Sequence, residues 1–125
     1  MNPVILFGVV TVNAALVAYT IGFAAEQRRA RVTSLVLGSF TVALLFDLVA
    51  TTCMTLGSRK PWYTLHGIVG FTALAAMLVA VPLLWRAGRR GPEAPVSAGL
   101  HLFLRVAYAA WVVAYFAGAM LAGRR

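Results

Sequence analysis

The chain has 125 residues, 62% of them hydrophobic and 11% charged, with a mean hydropathy of +0.87. That apolarity excludes an ordinary soluble domain, and a span needs about 20 residues, so the length suits four membrane-crossing helices and no separate soluble unit. The net charge of +8 comes from 11 Lys and Arg against 3 Asp and Glu; the basic clusters carry no interleaved aromatics on a polar surface, which excludes a nucleic-acid footprint and points to lipid headgroups at the bilayer surface.

In chain order, the first span is expected over residues 3–25. Pro3 falls in its first turn, where a missing N–H does no harm. The opening "MNPVILFGVV" has no charged side chain and the first arginine is Arg28, so the segment reads as a retained span rather than a cleaved secretory signal. The cluster from Glu26 to Arg31 ends it, and the second span follows over 33–57. Arg59 and Lys60 precede the third, over 61–85, which opens with Pro61 and is expected to kink or stop at Pro82. Gly91, Pro92 and Pro95 break the chain before the fourth span, over 98–123. The fold class is therefore all-α: one domain, a four-transmembrane-helix bundle. Cys53 is the sole cysteine, which rules out an internal disulfide.

Let side A be the membrane face at the N-terminus and side B the opposite one. Arg28, Arg29, Arg31, Arg86, Arg89 and Arg90 fall on side B, against Arg59, Lys60, Arg124 and Arg125 on side A. The positive-inside rule makes side B cytoplasmic and places both termini outside. Trp62, Tyr63 and Trp85 suit the aromatic belts at the two interfaces.

Ionisable groups within spans cost about 2.5–3.5 kcal/mol each on insertion scales, which makes Asp47, His66, His101 and Arg105 candidates for function. Asp47 and Asn13 both fall about 15 Å from side A. Asp47 is thus expected either to clamp helices through Asn13 or Thr51, or to handle protons or orient His66. His66 lies about 8 Å from side A, with Gly70, Ala73 and Met77 sharing its face at 100° per residue. Gly70 and Ala73 leave a shallow trough where a flat group can approach the backbone. Met54, at nearly the same depth on the second helix, is expected to face His66, and histidine with methionine is an axial pair for haem iron. Arg59 and Lys60 are then placed to meet the propionates. The alternative is an interfacial histidine bonded to a helix-start carbonyl beside residues made small for packing. Two histidines and one cysteine on different helices show no zinc spacing.

His101 opens the fourth helix near side B, followed on one face by Arg105, Tyr108 and Tyr115. Lying at the opposite surface, it cannot share an iron with His66 inside one chain. It reads as ligand to a second haem, as a ligand reached through a partner chain, or as an interfacial group without a cofactor. Arg105 either snorkels outward or receives a propionate. The other face carries Ala110, Ala114 and Gly118; if that ridge packs inside the bundle, the His101 face is left to meet a second protomer, making a homodimer.

"FDLVATTCM" (Phe46 to Met54), then "LHGIVG" and the run "AAWVVAYFAGAM", resembles the small prokaryotic four-helix HsmA-type family of heme-sensing membrane proteins. The resemblance covers helices 2 to 4 and implies an integral protein of the prokaryotic cytoplasmic membrane that binds haem b, sequesters it and limits its toxicity or oxidative stress. A glycine often stands in that family where this chain has Ala50, which bears on how closely the helices approach there.

Rival readings are a b561-like electron-transfer cytochrome, for which two histidines are too few to fill two haem sites; a proton-coupled multidrug transporter, which needs an acid in helix 1 where this chain has Asn13, with Glu26 expected past the end of that span; and a cofactor-free structural subunit. No Ser, His and Asp fall at one depth, and Asp47 lacks a second carboxylate, so hydrolytic chemistry has no support.

Overall fold

The computed structural model describes residues 3–57 and 65–123, without the side chains of 65, 66 and 121–123. Four helices, α1 (Pro3–Arg29), α2 (Ser34–Gly57), α3 (Leu65–Gly88) and α4 (Ala98–Gly123), are each long and apolar enough to cross a membrane. The protein is thus an all-α, multi-pass membrane bundle. Large apolar side chains line its outside, among them Leu6, Val17, Leu45, Val106 and Phe116, as a lipid solvent permits.

Between α1 and α2, and between α3 and α4, the chain adds two short strands, β1 (Arg31–Val32) and β2 (Ala94–Pro95). They pair antiparallel, Arg31 opposite Pro95 and Val32 opposite Ala94, which fixes both connections at one end of the bundle. The Val96 amide donates to the Ala30 carbonyl at 2.8 Å. Arg29 pairs with Glu93 at 2.6 Å, and Arg31 reaches the Glu93 carbonyl at 3.0 Å. Two-residue strands among Arg, Pro and Gly have no alternation to signal them in the sequence.

Side chains cap the helices that leave this end. Thr33 Oγ1 accepts the Val36 amide, and Ser97 Oγ accepts the Leu100 amide, each at 3.2 Å, satisfying N–H groups that a helix start otherwise leaves open. At the end of α1, Ala30 adopts φ 51 and its amide bonds the Glu26 carbonyl at 2.7 Å, a left-handed cap that usually falls to glycine. α1 therefore runs four residues past the expected end at residue 25. α3 contains Pro82 within the helix and continues to Gly88, three residues past the expected end at residue 85; residues 61–64, expected in its first turn, lie outside the described residues.

α1 packs most extensively on α2, and α3 on α4. The buried stripe of α1 is Gly8, Thr11, Ala15, Tyr19, Gly22 and Glu26, spaced three or four apart. Facing it on α2 are Val36, Phe40, Ala43, Asp47 and Ala50. Small residues let the two backbones close up: a Cβ on Gly22 would stand 2.9 Å from the Phe40 ring, and one on Gly8 3.0 Å from Met54 Cγ and 3.4 Å from the Ala50 carbonyl. Close approach near Ala50 is thus provided from the opposite helix. Tyr19, Phe40, Met77, Leu84 and Leu104 fill the centre.

Candidate functional site

Two buried carboxylates organise the polar interior. Asp47 is 4% exposed on the α1-facing stripe of α2. Tyr19 Oη of α1 and Trp111 Nε1 of α4 both donate to its Oδ2 at 2.9 Å, and Thr51 Oγ1 approaches Oδ1 at 3.5 Å. Tyr19 and Trp111 also meet edge to face, with centroids 5.0 Å apart, so ring packing aims both donors at the acid. One carboxylate thus ties three helices. Asp47 was expected to meet Asn13 or Thr51; Thr51 is there, whereas Asn13 lies on the exposed side of α1, where it accepts from Tyr115 of α4 and donates to the Val9 carbonyl at 2.7 Å. Asn13 and Tyr19 are six residues apart, which turns them to different faces at 100° per residue.

Toward side B, Glu26 is fully buried. Its Oε2 lies 2.6 Å from His101 Nδ1, and its Oε1 accepts Gln27 Nε2 at 2.6 Å. With the carboxylate as acceptor, Nδ1–H is the donor and Nε2 is turned away from the pair. Gln27 Oε1 accepts Arg105 Nε and Nη2 at 3.2 and 3.1 Å. Between the two acids, Thr20 Oγ1 and Tyr108 Oη lie 2.7 Å apart, with Phe23 stacked on Tyr108 at 4.1 Å. A ladder of polar groups thus joins α1 to α4 from mid-membrane to side B.

This arrangement bears on two expectations. The face of α4 carrying His101, Arg105, Tyr108 and Tyr115 meets α1 of the same chain, so the reason for placing a second protomer there is removed. Arg105, expected to snorkel outward or to hold a propionate, is exposed and donates to Gln27 near the side B end of α1.

Met54, expected opposite His66, is half-buried on α2, and a Cβ on Gly8 of α1 would stand 3.0 Å from its Cγ. The α1–α2 seam takes up this residue because Gly8 leaves it room. The His66 side chain lies outside the described residues, as do Arg59 and Lys60. Of the trough expected beside His66, Ala73 and Met77 are buried in the core, 1% and 0% exposed. At Gly70, no heavy atom among the described residues stands within 4 Å of a Cβ position. Among the described residues the trough is therefore filled at Ala73 and Met77 and uncovered at Gly70. Some 22 residues of α3 and an antiparallel turn separate His66 from the level of His101, about 30 Å at 1.5 Å per residue. One iron cannot reach both. Among the described residues no group of three or more His, Cys, Asp or Glu could hold a metal ion.

Glu26 and Tyr19 were missed as site residues. Their signal is the spacing Gly8, Thr11, Ala15, Tyr19, Gly22, Glu26, which continues one face of α1 straight into the charged cluster. Comparison of the chain with protein-family models, curated proteins and solved structures gives no match.

Proposed function

We propose that this protein binds haem b in a prokaryotic cytoplasmic membrane and sequesters it, with side B cytoplasmic and both termini outside. The observation carrying the reading is the flank of α3. His66 lies one turn from Gly70 on the same helical face, and at Gly70 the described residues leave the backbone uncovered, so a flat macrocycle can lie against the helix where any larger side chain would hold it off. The motif around Asp47 and His66 that resembles the HsmA-type family supports the same reading. A single-imidazole form is the reading preferred, because Met54 packs near Gly8 of α1 and His101 sits at the other membrane surface. His66 would hold the iron, Gly70 would admit the ring edge, and Arg59 and Lys60 would meet the propionates. Redox or peroxide chemistry, where it occurs, is supplied by the bound haem. The chain's own part is to fix the imidazole and to keep the ring in apolar surroundings.

The test is an optical titration of the detergent-purified protein with haem. A Soret band that saturates near one haem per chain, and is lost in His66→Ala and in Gly70→Leu but kept in His101→Ala and Met54→Leu, is the expected result. Equal bands in all the variants would remove the site.

A second reading, a cofactor-free structural subunit, is favoured by one observation: both membrane-embedded carboxylates, Asp47 and Glu26, are already bonded by groups of this chain. It predicts no saturable haem band.

A further inference from the structure

The chain holds only 3 Asp and Glu, and the structure commits each of them. Glu26 is buried with His101, Asp47 lies at mid-membrane with Tyr19 and Trp111, and Glu93 pairs with Arg29. Among the described residues, Arg86, Arg89 and Arg90, all exposed at the side B end of α3, therefore have no side-chain carboxylate left to neutralise them. Beneath Arg86 and Arg89 runs a groove of about 560 Å³ between α2 and α3, walled by Leu44, Leu78, Val81, Pro82 and Trp85. Trp85 is fixed across its upper part by a hydrogen bond from Nε1 to Thr41 Oγ1 of α2, 2.9 Å long. From Leu78 to Arg89 the groove spans 11 residues, about 16 Å along the helix, which is the length of a good part of an acyl chain. A second groove, between α3 and α4, shares Arg86 and adds Arg90 above Leu83, Leu100 and Phe103.

We propose that an anionic phospholipid of the side B leaflet occupies the α2–α3 groove, its phosphate held by Arg86 and Arg89 and one acyl chain lying along Leu78, Val81 and Trp85. Charge complementarity chooses the occupant. An uncompensated arginine pair at headgroup depth takes a phosphodiester, for which the guanidinium fork is suited, and the apolar walls exclude an occupant that is polar throughout. The site stands apart from the haem reading, which concerns the opposite membrane surface.

Native mass spectrometry of the purified protein tests it, after exchange into detergent carrying phosphatidylglycerol or phosphatidylcholine. The wild-type chain should retain one phosphatidylglycerol under activation that strips phosphatidylcholine. Retention should fall roughly tenfold or more in Arg86→Gln/Arg89→Gln, and also in Leu78→Trp, which fills the groove and keeps the charge. Arg28→Gln, an exposed arginine of the same surface, should leave it unchanged; helical circular dichroism checks that each variant is folded. Equal retention of the two lipids, an equal loss in Arg28→Gln, or displacement of phosphatidylglycerol by millimolar inorganic phosphate would overturn the proposal.

Discussion

Asp47 shows how a carboxylate is made tolerable at mid-membrane. Two strong donors converge on one of its oxygens, and their rings pack on each other, so loss of either leaves a buried acceptor short of a partner. Tyr19→Phe and Trp111→Phe should each lower stability by about 1–3 kcal/mol, read as the thermal unfolding midpoint in detergent, with ring packing largely preserved; no change in either would mean that the acid finds water instead. Glu26 presents a sharper case, since it is fully buried between two partners, His101 and Gln27. His101→Ala should cost at most about 3 kcal/mol, the low end for stripping a buried pair of one member, because the His101 side chain is itself 25% exposed. Arg105→Ala, which removes only contacts to Gln27, should cost clearly less.

Among the elements, the α1–α2 hairpin is held by what its glycines leave out. A Cβ on Gly22 would stand 2.9 Å from the Phe40 ring, and Phe40 is itself buried against Tyr19 with centroids 6.1 Å apart, so it has nowhere to retreat. Gly22→Val should therefore destabilise by about 1–3 kcal/mol through overpacking. Gly38, on the open side of α2, meets no heavy atom within 4 Å among the described residues; Gly38→Ala should be neutral or stabilise by up to about 1 kcal/mol. A comparable destabilisation at both positions would show that helix propensity, not the seam, sets the outcome. At the end of α1, Ala30 holds a left-handed φ of 51 that costs an L residue about 1–2 kcal/mol. Ala30→Gly should raise the unfolding midpoint.

Over the whole molecule, the β1–β2 pair holds both arginine-bearing connections on side B, and this gives orientation a direct test. A cysteine introduced at exposed Ser97, in a Cys53→Ser background, should react with an impermeant maleimide only when the cytoplasmic face is opened. Labelling in intact cells would reverse the assignment of sides.

Span number, approximate limits and side-to-side charge bias were legible from the sequence because they follow from local quantities: apolar run length, proline and glycine breaks, and the positions of arginines along the chain. The expensive polar residues were legible for the same reason, since a charge in an apolar run stands out without any knowledge of its neighbours. Partners were not. Which donor reaches Asp47, that Glu26 belongs to the bundle and not to the loop, that Met54 turns to α1, and that the two connections pair as strands all depend on how each helix is rotated against the others. That rotation is set jointly by small residues such as Gly8 and Gly22 and the bulk of Phe40, Tyr19 and Trp111 across the seam. No single segment carries that information, so only packing the helices together decides it.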